Sequence, residues 1–152
     1  MIIPDKIRIG GQDVNIIQED KKLLLKDLCA RLPYGVIVAT PKGRGYVCDI
    51  NLTIFDYELG VNINPIIRDT FSINDVKPYL LPMSSMTEEQ KKEYNNLQCY
   101  VPIYYYEYKE LVEEIELHPT LESFEYLYKN HFDYRGLITM GLAIDATGLY
   151  IY

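Results

Sequence analysis

Apolar and polar positions alternate in two short runs at the start of the chain. The alternating apolar residues are Ile7, Ile9, Val14 and Ile16. Gly10 and Gly11 stand between the two runs, and adjacent glycines accept the positive φ angles of a tight turn. The pattern predicts a β-hairpin from Lys6 to Gln18, which forms an extension over residues 1–20.

The apolar spacing becomes helical after this extension. Asp20 is a suitable N-cap, because its carboxylate accepts hydrogen bonds from backbone N–H groups of a first helical turn. A stripe at helical spacing follows, made of Leu25, Leu28, Cys29 and Leu32. Pro33 blocks continuation, so we expect a helix that ends at Leu32, with Cys29 in the core rather than acting as a nucleophile.

β-Branched and aromatic residues, which favour strands, dominate the next part of the chain. The strand candidates are 36–38, 46–55, 57–63 and 66–73, with a turn at 40–45 between the first two. Several short strands in so short a segment predict a small antiparallel sheet, or an SH3-like barrel, over about residues 34–81. The proline-bracketed residues 77–82 are expected to leave this sheet in an extended conformation.

Residues 83–152 are predicted to be mainly helical. The overlapping capping boxes Ser85–Glu88 and Thr87–Gln90 precede a polar helix that ends near Leu97. A second helix is indicated by the apolar stripe Leu121, Phe124, Leu127 and Tyr128. Asp133 is placed to cap a last short helix that ends at Gly141, and the alternation of Leu149 and Ile151 predicts a closing strand.

The segment between those two helices fits two structures. As a helix over 104–117, it has one apolar face made of Tyr104, Tyr108, Leu111, Val112 and Ile115. As a strand over 100–106, it places Tyr104 and Tyr106 on one face and Tyr105 with Val101 and Ile103 on the other. Periodicity alone leaves both open. Either way the chain is predicted to be one α+β domain over 1–152, with a helix and sheet at 21–82 following the hairpin extension.

Tyrosine is strongly favoured over the other aromatic residues, with 15 Tyr against 4 Phe and 0 Trp. A tyrosine ring packs against apolar groups while its hydroxyl stays hydrated, which suits interfaces. The densest run consists of Tyr100, Tyr104, Tyr105, Tyr106 and Tyr108. We predict that these side chains contact a protein partner or a second copy of the chain.

Charge and composition exclude several classes of partner. The formal net charge of −7 repels a phosphate backbone, and only the loop carrying Lys42 and Arg44 weakly suggests nucleic-acid or phosphate binding. That loop lacks the strand–GxxxxGK[ST]–helix context of a phosphate-binding loop, so an ordinary hairpin turn is favoured. No apolar run approaches the roughly 20 residues of a membrane span, and no secretory signal is visible. A cytoplasmic location without membrane contact is expected.

Candidate chemistry is sparse. The chain has 3 Cys and 2 His, in no metal-binding or disulfide spacing, so no metal and no cofactor are predicted. The weak catalytic candidates are His131, Asp133, Arg135 and Asp145. They fit an acid–base or metal-assisted site. The alternative is structural: Asp133 caps a helix, Arg135 pairs with a carboxylate and His131 covers a helix end. The spacing favours that alternative, so enzymatic activity is not the first hypothesis.

Three blocks of sequence stand out: KDLCARLPYGV from Lys26, KPYLLPMSSMTEEQ from Lys77, and HFDYRGLI from His131 with GLAIDATGL from Gly141. Together they resemble a family of small proteins that recurs in the genomes of gut bacteria and their phages. Their order matches over most of the chain after Lys26. The residues before Lys21 and the segment 99–128 depart from the pattern. The opening residues are similar to the start of phage-borne zinc peptidase-like proteins, but the metal-binding helix of those proteins is absent.

The resemblance implies a biological context and no particular chemistry. It favours a non-enzymatic interaction or accessory protein of a phage or mobile element, in the cytoplasm of the host cell. One alternative is a small hydrolase or nucleotide-binding protein that uses His131, Asp133, Arg135 and Asp145. Another is a component of the phage particle, for which self-assembly would be the distinguishing property.

Overall fold

A computed structural model describes residues 19–53 and 56–152, together with the backbone of two strands at 6–9 and 12–15. Those strands, β1 (Lys6–Ile9) and β2 (Gln12–Asn15), pair antiparallel, so that Ile9 lies opposite Gln12. The predicted N-terminal hairpin is therefore confirmed at its strands. The expected Gly10-Gly11 turn and the predicted position of Ile16 lie outside the described residues.

Helix α1 (Glu19–Arg31) ends one residue before the predicted limit at Leu32. It already includes Glu19, so Asp20 lies inside the first turn and is not the N-cap that the sequence predicts. Its buried side chains are Leu24, Asp27, Leu28 and Arg31. Cys29 is exposed, so its predicted place in the core is wrong. The reason is rotational: the buried positions 24, 27, 28 and 31 recur every three or four residues, and Cys29 lies one residue beyond that stripe.

The central sheet contains four consecutive antiparallel strands: β3 (Ile37–Thr40), β4 (Gly43–Leu52), β5 (Tyr57–Asn62) and β6 (Arg68–Ser72). A register shift between Val47 and Asp49 interrupts the pairing of β4 with β5. The four predicted strands are confirmed, although their bounds differ from the predicted ones by up to three residues, and the turn between β3 and β4 is shorter than the predicted 40–45. Phe55, the predicted end of the second strand, lies outside the described residues.

The sheet stays open, so an SH3-like barrel is not formed. Strand β7 (Lys77–Pro82) does not leave the sheet as expected but returns to pair antiparallel with β3. Two short strands from the end of the chain, β10 (Phe132–Asp133) and β11 (Ile144–Asp145), pair parallel with β7. The sheet therefore extends beyond β3 through β7 and its two C-terminal partners. Its strand order is β10-β7-β3-β4-β5-β6, with β6 at the far end.

The main core lies between α1 and the sheet. Leu24 and Leu28 of the helix belong to the same buried cluster as Val38, Leu59 and Leu80 of the strands. Leu137, Leu142 and Ala143 from the C-terminal segment complete it. A second cluster contains Met86, Leu127 and Phe132. The C-terminal segment thus contributes both paired strands and core side chains, so it packs against the first half of the protein.

Helices α2 (Glu88–Asn96) and α3 (Leu121–Lys129) confirm two predicted helices. Thr87 and Gln90 form the capping box of α2 in the second of the two predicted registers. Thr120 and Ser123 form a corresponding box at α3. None of the described helices is long and apolar enough to cross a membrane.

Residues between these helices form a second hairpin, β8 (Cys99–Glu107) and β9 (Glu110–His118). The helical interpretation of 104–117, and with it the expectation of a mainly helical C-terminal half, is wrong. Tyr108 and Lys109 have φ angles of 48° and 72°. Two successive residues with positive φ end any right-handed helix and form the tight turn of a hairpin.

The last helix and the closing strand are also absent from the described C-terminal segment. Asp133 is followed by turns, because Gly136 has a φ of 76° and interrupts the helix that Asp133 was expected to cap. Gly141 has a left-handed φ of 73°, as expected of a terminator, although it ends a turn. Tyr150, between Leu149 and Ile151, has a φ of 50°, which is incompatible with an extended strand.

Candidate partner-binding surface

The β8–β9 hairpin places most of the predicted tyrosines on one surface. Its strands pair from Cys99 opposite His118 to Glu107 opposite Glu110, and only Tyr108 and Lys109 form the turn. Side chains alternate between the two faces of a strand, and directly opposed residues share a face. One face therefore carries Tyr100, Pro102, Tyr104, Tyr106, Leu111, Glu113, Ile115 and Leu117, and we call it the hairpin face.

The hairpin face is apolar and uncovered. Its large apolar side chains, which are the three tyrosines with Leu111, Ile115 and Leu117, are between 43% and 77% exposed. Among the described elements, neither strand has extensive contacts beyond its partner strand. Two-stranded hairpins are at best marginally stable by themselves in water, so a second surface packed over this face would stabilise the hairpin.

The other face is acidic and better shielded. Val101, Ile103 and Val112 are half-buried there. They are accompanied by the carboxylates of Glu107, Glu110, Glu114 and Glu116. The hairpin is thus amphipathic in the sense of a strand pair, with one nearly uncharged face and one charged face.

The five predicted tyrosines separate into three groups. Tyr100, Tyr104 and Tyr106 lie together on the hairpin face. Tyr105 lies on the acidic face, where its hydroxyl donates to Glu114 Oε1 at 2.7 Å, and this hydrogen bond raises the pKa of the Tyr105 phenol. Tyr108 lies at the tip of the hairpin and is 94% exposed.

The helical interpretation missed the role of β9 in this surface. It grouped Leu111 with Val112, although the two lie on opposite faces, and left Leu117 out. The alternation of Leu111, Glu113, Ile115 and Leu117 was the available signal. This alternation does not exclude a helix, because Val112 fits the apolar face of a helix and Glu116 fits its polar face equally well.

His131 is held in a structural contact. It is buried, and its ring stacks on that of Tyr152 with centroids 3.5 Å apart and planes inclined by 6°. Burial, and then the nearby charge of Arg31, lowers the pKa of the His131 imidazole to about 4. The buried Nδ1 has no hydrogen-bond partner among the described residues. His131 is therefore neutral near pH 7 and stacks against an aromatic ring.

Asp133, Arg135 and Asp145 each have a separate structural partner. The two oxygens of the Asp133 carboxylate accept hydrogen bonds from the backbone N–H groups of Leu137 and Ile138, both at 2.9 Å. The exposed Asp145 accepts from the N–H of Thr147, and hydrogen bonding with Thr147 lowers the pKa of the Asp145 carboxyl. No hydrogen bond or ion pair joins any two of the four catalytic candidates within the described residues.

Arg135 pairs with a carboxylate, as the structural alternative predicts, and that carboxylate belongs to a buried ionic cluster that the apolar pattern of the sequence does not reveal. The Arg135 Nε lies 3.3 Å from Asp27 Oδ1. Arg31 donates to the same carboxylate, with Nε 2.7 Å from Oδ2, and its Nη2 donates to the carbonyl oxygen of Phe132 at 2.6 Å. Asp27 and Arg31 are completely buried. The signal was their i, i+4 spacing on the apolar side of α1.

The loop that carries Lys42 and Arg44 is the ordinary hairpin turn between β3 and β4 that the sequence favours, and its basic side chains are engaged. Lys42 forms an ion pair with Asp69 of β6, which lowers the pKa of the Asp69 carboxyl. The Arg44 guanidinium lies 5.2 Å from the centre of the Tyr79 ring. Within the part of the chain that the structure describes, no group of three or more His, Cys, Asp or Glu side chains could hold a metal ion.

A groove of about 320 Å³ lies between the strands and the C-terminal segment. Its lining includes Ile37, Arg44, Tyr46, Ile63, Tyr150 and Ile151. The groove is largely apolar and contains none of the four catalytic candidates.

Comparison with known proteins adds no relative: no family model, no curated protein and no solved structure matches this chain.

Proposed function

We propose that this chain is a non-enzymatic interaction or accessory protein of a phage or mobile element, and that the hairpin face makes its main contact. The observation that carries this proposal is the uncovered apolar face of β8–β9, whose six large apolar side chains are 43% to 77% exposed. Tyrosine in particular is enriched where two proteins meet, because its flat ring buries a large area while the hydroxyl remains hydrated.

The biological context comes from the resemblance of three sequence blocks to small proteins of gut bacteria and their phages. The third block contains the turns after His131 and the strand β11, and the first contains Asp27 and Arg31. These blocks therefore include residues that build the core and the buried ionic cluster. The departing segment 99–128 contains the hairpin. A shared core with a divergent contact element fits a protein whose contact element is matched to its own partner.

An enzymatic function is supported less well. His131 stacks on Tyr152, and Arg135 pairs with Asp27. Asp133 accepts hydrogen bonds from two backbone N–H groups, and Asp145 accepts one from the N–H of Thr147. Each side chain thus has a structural role that accounts for its position. A component of the phage particle would use the same hairpin face, and open-ended assemblies of the purified protein would distinguish it.

Crosslinking in the native host tests the proposal. We expect wild-type protein to form crosslinks through β8 and β9, and the double variant Tyr104→Ser/Tyr106→Ser to lose at least about 90% of them, since buried tyrosines commonly dominate binding energy. The control is Tyr46→Ser/Tyr150→Ser, which removes two exposed tyrosines away from the hairpin face. Equal crosslinking by wild type and the Tyr104/Tyr106 variant would rule out the hairpin face as the contact.

A further inference from the structure

We infer that the partner on the hairpin face is a second copy of this chain, packed face to face across a two-fold axis. This inference rests on the proposed function and identifies the partner it requires. Three features of the hairpin carry it: the distribution of charge between its faces, the area of the apolar face and the condition of its edges.

Charge is segregated between the two faces. Glu107, Glu110, Glu114 and Glu116 lie on the face opposite the hairpin face, as the strand pairing requires. Glu113 is the one acidic residue of the hairpin face, and its Oε1 accepts a hydrogen bond from the Tyr104 hydroxyl at 3.2 Å. A basic partner would be attracted to the wrong face. A second hairpin face supplies a matching surface with little charge, while the acidic residues of both copies point away from the contact.

The exposed area matches what a dimer needs. At roughly 200 Å² for a large side chain, the exposed fractions of the six apolar side chains correspond to on the order of 700 Å² of accessible surface. The largest apolar patch of a typical monomer is smaller, about 300–600 Å². A stable interface buries about 800 Å² on each partner, so one hairpin face packed on another nearly completes a dimer interface.

The edges of the hairpin favour packing of faces over pairing of edges. In a two-residue hairpin the residues that flank the turn form a hydrogen-bonded pair, and the pairs alternate from there. Pro102, opposite Ile115, therefore lies in a pair whose backbone groups face outward. Proline has no N–H, so the outer edge of β8 lacks a donor for a further strand. Pairing along β9 would lengthen the sheet but leave the hairpin face exposed, whereas stacking two sheets covers it.

The oligomeric state of the purified full chain tests the inference. By sedimentation equilibrium we expect a dimer. Ile115→Lys removes a central contact residue from both copies and should raise the dissociation constant at least about 30-fold. Glu116→Gln is the matched control: it changes the charge by the same amount on the opposite face, and it should remain dimeric. Ile115 is 67% exposed, so the lysine variant should fold normally.

Amide hydrogen exchange gives a second measurement, which can be interpreted while every variant remains folded. In wild type and Glu116→Gln, protection of the β8 and β9 amides should increase with protein concentration, because association stabilises the hairpin. In Ile115→Lys it should stay low and independent of concentration. A dimer that Ile115→Lys leaves intact would overturn the inference, since the copies would then meet elsewhere.

The outcomes separate this inference from the proposed function. A wild-type protein that is monomeric at every concentration overturns the second-copy inference. If Tyr104→Ser/Tyr106→Ser nevertheless abolishes crosslinking to a host protein, the hairpin face still serves a different partner and the proposed function stands. If that variant also leaves crosslinking unchanged, both are wrong.

Discussion

Asp133 illustrates how the same capping chemistry serves a different local structure. A helix N-cap needs one acceptor, and Asn replaces Asp there at little cost. Here each carboxylate oxygen accepts a different backbone N–H, from Leu137 and from Ile138, and the side chain is buried. The carboxylate thereby fixes the turns of the C-terminal segment that carry the core residue Leu137.

The two-oxygen geometry predicts that Asp133→Asn is destabilising. An amide supplies one acceptor and places an N–H₂ group against the second N–H, so we expect a loss of about 1–2 kcal/mol in the free energy of unfolding, and about 2–3 kcal/mol for Asp133→Ala. Asp145→Asn is the control, because Asp145 is exposed and accepts from the single N–H of Thr147. Chemical denaturation measures all three. A neutral Asp133→Asn would mean that one acceptor is sufficient.

His131 predicts an acid-sensitive stability. Its folded-state pKa of about 4 lies below the ordinary value of 6.5. Above about pH 6.5 the imidazole is neutral in both states; below it, the unfolded chain binds a proton that the folded protein excludes. The free energy of unfolding should therefore decrease as the pH falls from about 6.5 to about 4, by up to about 3 kcal/mol from this residue.

Replacement of His131 isolates that contribution. His131 has a φ of 61°, which Asn tolerates, so we expect His131→Asn to fold and to show a smaller difference in stability between pH 7 and pH 4 than wild type. His118→Asn is the control, because His118 is an exposed histidine of the hairpin. Urea denaturation at several pH values gives the comparison. Parallel curves for His131→Asn and wild type would contradict the assigned pKa.

At the scale of elements, α1 is joined to the C-terminal segment by charge as well as by packing. The Asp27 carboxylate forms ion pairs with Arg31 of its own helix and with Arg135 of the C-terminal turns. Arg31 also donates to the carbonyl oxygen of Phe132 in β10. Two guanidinium groups thus share one carboxylate in a buried site, where loss of the carboxylate leaves positive charge without compensation.

Asp27→Asn is accordingly expected to cost about 3–5 kcal/mol in the free energy of unfolding. Asp75→Asn, at an exposed carboxylate in the short helical turn before β7, should change it by less than about 0.5 kcal/mol. Thermal denaturation at neutral pH measures both. A cost below about 1 kcal/mol for Asp27→Asn would show that solvent compensates the two arginines.

At the scale of the whole molecule, the hairpin is an appendage on a core that is built without it. The Thr120 hydroxyl donates to the carbonyl oxygen of Leu97, so the two ends of the hairpin meet at its base. The core clusters contain no residue of β8 or β9. The structure therefore separates the packed core from an exposed hairpin.

Excision of the hairpin tests that separation. Replacement of residues 98–119 by a short Gly-Ser linker should leave the melting temperature within a few degrees of that of dilute wild type, since the core contacts remain, and should abolish self-association. Ile115→Lys is the comparison, because it retains the hairpin without the association. Failure of the excised protein to fold would place the hairpin within the cooperative core.

Local sequence was sufficient for α1, α3, the Thr87 capping box and strands β3 to β6. In these segments the capping residues, turn residues and apolar periodicity agree with one another, and their hydrogen bonds are satisfied by near neighbours. The run of five tyrosines is also apparent from the sequence, although the faces of the hairpin on which they lie are not. The choice between helix and strand at 99–118 depended on the positive φ angles of Tyr108 and Lys109, which neither residue type specifies.

The remaining features depend on partners distant in sequence. β7 belongs to the sheet because β3, β10 and β11 are available to pair with it, and no local pattern encodes that choice. Asp27 and Arg31 are buried because Arg135 and Phe132 meet them from more than a hundred residues away. Sequence by itself determined most of the local elements and the aromatic composition of the hairpin face. Tertiary structure alone decided which side chains face the solvent, because burial depends on the elements that pack over them.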